Sequence, residues 1–465
     1  MTRIKDAAGF HAWFAERGTA HRYRITPAPL HDLDGWYTDP ATGDVRHRSG
    51  GFFSIEGLRF EPSDPGVPAW TQPIIRQPET GILGVLIKRF DGVPHLLMQA
   101  KMEPGNITTL QLSPTVQATF SNYTRVHRGS AVRYIDHFLT PGAGDRVHYD
   151  ALQSEQGSWF LGKRNRNIVV ETTADVPVHE DFCWVPRPVM AELLRVENLV
   201  NMDSRTVLAG LPDDNGETDE TYETGDTDDT GDTGDLGERP APGRAAEKPL
   251  HDTAALLHWF TGAKVRHRPE RRTIPLSRVG GWRRDGDRGE IVHEEGRYFR
   301  IIGVDVEADS REVPSWSQPM LAPVGRGVIA FVSKEIHGER HLLVQARAEA
   351  GTFDAVELGP SVQCNPGNLA EGARRPPYLD AVLGARPEQV LFDTVHSEEG
   401  GRFYHAENRY LVVDGTDIPL DVPEDYTWMT VRQLTRAGRI GNLVDVEART
   451  LLACVRTLPG HGASR

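Results

Sequence analysis

Cysteine is scarce in this 465-residue chain: Cys183, Cys364 and Cys454 are the whole supply. They lie far apart, show no CxxC spacing and are odd in number, so neither a disulfide framework nor a zinc site is expected. Reduced thiols in a cytosol fit better. Long apolar runs are missing too. No stretch approaches the ~18 residues of a membrane span, and the opening MTRIKDAAGFHAWF lacks a signal-peptide core. The expectation is a cytoplasmic protein with no membrane partner. Four familiar motifs are also absent: GxGxxG after a first strand, GxxxxGKS/T, HExxH and GxSxG. A dinucleotide redox site, a P-loop, a zinc protease and an α/β-hydrolase are therefore unsupported. Any chemistry is expected from side chains alone, with no cofactor and no metal.

Positive charge is in short supply, with a formal net charge of −14. The deficit is local: residues 213–248 hold 13 acidic and 3 basic side chains, which leaves about −4 for everything else. With neither a basic stripe nor an RNA-type aromatic motif, nucleic acid is not an expected partner. The acidic stretch repeats Thr-Gly-Asp and has almost no aliphatic residues. It cannot bury enough apolar area to offset its ordering entropy, and is expected to be a disordered, self-repelling spacer.

What the chain does contain is a copy of itself. HLLMQAKMEPGNITTLQLSPTVQATFSNY, from His95 to Tyr123, returns as HLLVQARAEAGTFDAVELGPSVQCNPGNL, from His341 to Leu369, at an offset of 246. Trp13-Phe14 and Trp259-Phe260, Gly35-Trp36 and Gly281-Trp282, and Val67-Pro68 and Val313-Pro314 keep that offset. Ser154-Glu155 and Ser397-Glu398, Asn165 and Asn408, Trp184 and Trp428, and Arg205-Thr206 and Arg449-Thr450 follow at 243–244. The length suits two domains: a first repeat at 1–212, the linker at 213–249, a second repeat at 250–458 and a flexible tail at 459–465.

Each copy reads as a mixed α/β (α+β) module. An amphipathic helix opens it (FHAWF, LLHWF). Two strands flank a turn at Asp91-Gly92 or His337-Gly338. NIVVE or YLVVD adds a strand, and RPVMAELLRVENLVNMD predicts a single closing helix. A pseudo-twofold relation between the copies is expected to bring sites near their junction.

In the strand LLMQAKME, alternation places Gln99, Lys101 and Glu103 on one face, and Gln345, Arg347 and Glu349 on the equivalent one. An amide, a cation and a carboxylate side by side can orient a polyhydroxylated, anionic ligand. A solvated face carrying an ion pair would read the same. Gln111, Gln117, Asn122 and Tyr123 follow, with Gln363 matching Gln117, a polar density that is expensive to bury without a ligand or network. The copies then diverge: Asn122 survives as Asn368, Tyr123 becomes Leu369, and His127 has no counterpart. If one copy alone catalyses, this favours the first. Trp70 and Trp316, each before Gln-Pro, can stack on a base or fill the core. His47 and His293 recur, and surface roles are commoner for such histidines. Glu103, Glu155, Glu349 and Glu398 suit proton transfer better, because a dry pocket raises a carboxyl's pKa.

IIRQPETGILG, HLLMQAKMEPGN and QLSPTVQATFSNYTRVHRG resemble the signature blocks of the NDP-hexose 2,3-dehydratases of deoxysugar pathways. The resemblance covers both halves and not the linker. It implies dTDP-4-keto-6-deoxy-D-glucose as substrate, dTDP-3,4-diketo-2,6-dideoxy-D-glucose as product, and an NADPH-dependent 3-ketoreductase as the product's recipient. It also implies a homodimer and a Nudix-like fold in each half, without the Nudix catalytic box. On this reading Lys101 and Gln99 hold or polarise the sugar, Glu103 is the first candidate for base, and Tyr123 or Asn122 assists the departing hydroxyl. Trp70 and Trp316 stack on thymine, while Ser154, Asn165, Ser397 and Asn408 lie nearer the diphosphate or ribose. Gln117, Glu155, Gln345, Arg347, Gln363 and Glu398 complete the substrate-binding set. The resemblance leaves the identity of the base open. Two other readings stay in play: a non-catalytic nucleotide-sugar-binding double module, and an isomerase or epimerase using the same C3 deprotonation.

Overall fold

The computed structural model describes residues 2–64, 66–123, 131–211, 248–311, 313–369 and 375–458. His127, the tail and nearly all of the acidic linker lie outside the described residues.

Each half is built on a seven-stranded mixed sheet. In the first half Arg146–Ser154, Arg164–Glu171, Gly81–Phe90, Val93–Met102 and Phe182–Pro186 run in that order across it. Arg164–Glu171 pairs with Gly81–Phe90 in parallel, and the other neighbours are antiparallel. The second half repeats the order with Val390–Ser397, Glu407–Asp414, Gly327–Ile336, Glu339–Arg347 and Tyr426–Thr430. Local chemistry sets the central hairpins. Asp91 and Gly92 have φ of 53° and 81°, and His337 and Gly338 have 54° and 82°. Two consecutive positive φ values make the two-residue turn whose twist matches the flanking strands.

The second, antiparallel sheet of each half is where the picture of two separate modules gives way. Tyr23–Ala28 of the first half pairs along its length with Phe299–Ala308 of the second. Reciprocally, Glu270–Ile274 of the second half pairs with Ser54–Glu61 of the first. The halves are therefore interleaved by exchanged strands. The Glu-x-Gly turns interlock as well. Gly105 donates to Gly400 O at 2.7 Å and Gly351 donates to Gly157 O at 2.6 Å. A Cβ at Gly105 would lie 1.7 Å from Phe403 O, and one at Gly351 1.8 Å from Phe160 O, so both turns require glycine.

The single closing helix expected after Pro186 is in fact two, Arg187–Leu193 and Met202–Leu208. Between them Asn198 turns left-handed (φ 51°), Val200 bridges to Leu112, and Asn201 caps the second helix through Ser204 N at 2.8 Å. Two buried arginines on the terminal helices then tie the halves together. Arg205 donates to Ser397 O at 2.7 Å, and Arg449 to Ser154 O at 2.6 Å. Among the described residues no helix is long and apolar enough to cross a membrane.

Candidate functional site

The interleaving encloses a cavity of about 430 Å³ over the first half's sheet. Lys101 reaches it from the end of the strand Val93–Met102, Glu103 from the turn that follows, and Gln117 from Val116–Ala118, with Ser121 and Asn122 just beyond. Glu155, Lys163 and Asn165 come from the adjacent strand pair, and Asp203 from the helix Met202–Leu208. The second half contributes Arg311, Trp316, Gln318, Glu399 and Arg402. Trp36, Phe52, Phe53 and Phe160 provide the apolar wall.

Hydrogen bonds fix this set. The Gln117 amide accepts from Asn201 Nδ2 at 3.1 Å and donates to Glu103 Oε1 at 2.6 Å. Lys101 Nζ donates to Gln117 O at 2.7 Å. Asn165 donates to Glu155 Oε1 at 2.7 Å and accepts from Lys163 Nζ at 2.8 Å. Arg402 Nε donates to Gln77 Oε1 at 3.0 Å.

Carboxylate oxygens of Glu103, Asp203 and Glu399 lie within 4.8 Å of one another. Like charges this close resist ionising together. Burial, reinforced by the charges of Glu103, Glu155 and Glu399, holds Asp203 well above the usual carboxyl range. Burial and then Glu103 push Glu399 up to about 7. Burial raises Glu155 as well, and pulls Lys163 down to about 8 against the attraction of Glu155. The carboxyl spacing is one that a cation could bridge, but Lys101, Lys163 and Arg402 already bring positive charge into the same cavity.

In the second half the equivalent carboxylates are more heavily paired. Glu349 Oε1 meets Arg347 at 3.2 Å, Gln363 at 2.9 Å and Ser158 Oγ at 3.0 Å. Glu398 accepts from Asn408 at 2.7 Å, Tyr410 at 2.7 Å and Gln156 at 3.0 Å. Where the first half has Gln77, Glu79 and Lys163, the aligned residues of the second are Pro323, Gly325 and Ala406.

The structure thus gathers Lys101, Glu103, Gln117, Asn122, Glu155, Asn165 and Trp316 at one cavity, and Arg347, Gln363, Glu398 and Asn408 around the second-half equivalents. Other candidates lie elsewhere. Gln99 and Gln345 sit further back in their ladders, opposite Phe182 and Ser113, and Tyr426 and Gly359. Tyr123 packs edge-on to Phe120 at 5.3 Å and does not line the cavity. Trp70 packs tilted against Phe60 at 4.6 Å, and Phe60 belongs to a cluster that includes Ala350 of the other half. Trp316, on the second half's strand Ser315–Pro323, lines the first-half cavity. Ser154 and Ser397 are spent internally: Ser154 Oγ donates to Glu357 at 2.7 Å, and Ser397 Oγ to Gln111 at 2.9 Å.

Sequence reasoning missed Asp203, Glu399, Lys163 and Arg402. A signal existed in the differences between the copies, since Glu399 aligns with Gln156, Lys163 with Ala406 and Arg402 with Trp159.

Carboxyls that compete for protons, beside ammonium and guanidinium groups and aromatic walls, define an enzyme site for acid–base chemistry on a polar small molecule. The chain belongs to the NDP-hexose 2,3-dehydratase family, whose model matches residues 7–211 and 253–455, once for each half. It is 85% identical over 463 residues, covering 100% of both chains, to a dTDP-4-dehydro-6-deoxy-alpha-D-glucopyranose 2,3-dehydratase of Streptomyces violaceoruber. Enzymes bearing the same name from Amycolatopsis orientalis and Saccharopolyspora spinosa are 46% and 45% identical, over 96% and 97% of this chain and 89% and 91% of theirs.

Proposed function

We propose that this chain is a hydro-lyase that removes the C2 hydroxyl of dTDP-4-keto-6-deoxy-D-glucose in deoxysugar biosynthesis, giving the 3,4-diketo-2,6-dideoxy sugar. The observation that carries it is Glu103 in the same cavity as Lys101, Asp203 and Glu399. The C4 ketone acidifies the C3 proton, which Glu103 removes. Lys101 stabilises charge developing on O4, and the C2 hydroxyl leaves beside Asn122 and Ser121. Trp316 stacks on the thymine, while Lys163, Arg311 and Arg402 face the diphosphate. No electrons are exchanged, so no redox cofactor is needed.

The first-half cavity is the working one. The second half's Gln345, Arg347, Gln363, Glu398 and Asn408, with Trp70, form its counterpart. The repeats at 1–212 and 250–458, joined by a spacer, are read as Nudix-like modules, a reading supported by the parallel pair at the centre of each mixed sheet. A cytoplasmic homodimer handing its labile diketone to an NADPH-dependent 3-ketoreductase completes the proposal.

The test is mass analysis of the 4-ketosugar incubated with purified protein and no added cofactor, the product trapped by reduction. Loss of one water is expected. An unchanged mass with bound ligand supports a binding module instead, and C3 hydrogen exchange without water loss supports an isomerase.

A further inference from the structure

We propose that Glu399, lent by the second half, is the general acid of the first-half cavity, handing a proton to the C2 hydroxyl as it leaves. This rests on the dehydratase reading above and adds a residue and a role to it.

Three observations converge. Glu399 lines the cavity with Glu103 and Asp203, its carboxylate within 4.8 Å of theirs. Its Oε1 accepts from Gly401 N at 3.0 Å, whereas its Oε2 is buried without a protein partner, as are Glu155 Oε2, Glu103 Oε2 and Asp203 Oδ1. The pseudo-twofold says what belongs there. At the mirror position Gln156 donates its amide to Glu398 Oε2 at 3.0 Å, and Glu398 is the counterpart of Glu155. The first half therefore has a carboxyl where the second has an amide donor. A protonated Glu399 fills the same donor role toward Glu155, with a hydrogen that can also be given away. The charged groups facing Glu399 are Glu103, Glu155 and Asp203 on one side and Arg402 and Lys163 on the other. Burial and Glu103 hold its carboxyl at about 7, so it carries a proton below about that pH.

The step balances. Glu103 takes the C3 proton, and the C3–H electrons form the C3=C4 bond with the charge on O4. As C4=O is restored those electrons become the C2=C3 bond, and the C2–O bond breaks. The leaving oxygen takes Glu399's proton and departs as water. The enol hydroxyl at C3 then returns a proton to Glu399, while protonated Glu103 delivers its proton to C2. One water is lost, and both carboxyls end as they began.

The experiment uses the full chain. Glu399→Gln installs the mirror residue. In D2O with the 4-ketosugar it is expected to bind dTDP normally and to exchange deuterium into C3. Its water loss should fall at least ~100-fold, within the range of a lost general acid. Glu399→Asp, which keeps the proton, should recover part of the rate. The wild-type kcat/KM should fall above about pH 7 with one ionisation that the Gln variant lacks. Dehydration within about threefold of wild type in Glu399→Gln overturns the assignment, because general acids are worth far more than that. So does loss of C3 exchange in a folded, dTDP-binding variant. If no variant folds, a wild-type profile without the falling limb overturns it too. Wild-type protein that releases no water condemns the dehydratase reading, not the role of Glu399 within it.

Discussion

Glu103 and Asp203 share one cavity but not the same surroundings. Glu103 receives the Gln117 amide at 2.6 Å on Oε1, while Asp203 Oδ1 is buried with no partner. Glu103→Gln should therefore keep dTDP affinity and lose roughly 10²–10⁴-fold in kcat, with C3 exchange lost as well, read by deuterium incorporation and turnover. Stability should also record the crowded carboxyls. Glu399 and Glu357 are pushed to about 7 and Asp445 to about 8, each chiefly by burial. Their folded-state values lie above the unfolded ones, so their contribution is complete at low pH and is lost as pH rises through 7 to 8. The unliganded protein should melt at a lower temperature at pH 8 than at pH 6.5. Below that window, buried His396, held well under its ordinary value by burial, works in the opposite direction. Lys101 and Glu103 were legible in the sequence because both copies keep a cation (Lys101, Arg347) and a glutamate (Glu103, Glu349) at a fixed spacing on one strand end. Asp203 and Glu399 were not, because their meaning comes from partners brought across from distant parts of the chain.

At the scale of elements, the hairpins were legible because Asp-Gly and His-Gly turns act locally. The break in the closing helix was not, since it depends on Val200 bridging to Leu112 far back in the chain. The strand exchange was hidden for a related reason: the alternation in YRITPA is the same whichever sheet receives it. The interlocked turns can be tested directly. Gly105→Ala places a methyl 1.7 Å from the Phe403 carbonyl, and the backbone must move. A loss of about 2–3 kcal/mol is expected in denaturant unfolding, as for other forced overpacking. Arg449 is a second such clasp, donating to Ser154 O at 2.6 Å and Thr206 Oγ1 at 2.9 Å. Arg449→Met removes both bonds, leaving Thr206 Oγ1 with Asn167 alone, and should lower stability by about 3 kcal/mol.

For the molecule as a whole, exchange makes the halves interdependent. Residues 1–212 and 248–465 produced as separate polypeptides should each be insoluble or inactive, and should regain water loss when co-expressed, measured by the mass assay. Two modules that merely touched would each fold alone. Exchanged strands also have a consequence over evolutionary time. The second half lends Trp316, Glu399 and Arg402 to a cavity over its neighbour's sheet, and Glu270–Ile274 to its neighbour's sheet. Its own cluster at Glu349 and Gln363 answers to packing, so changes there that keep the contacts with Arg347 and Ser158 can accumulate as long as those loans are honoured. A saturation scan should show tolerance and intolerance side by side within the second half, so that one copy drifts in chemistry while its shape stays under selection on behalf of the other.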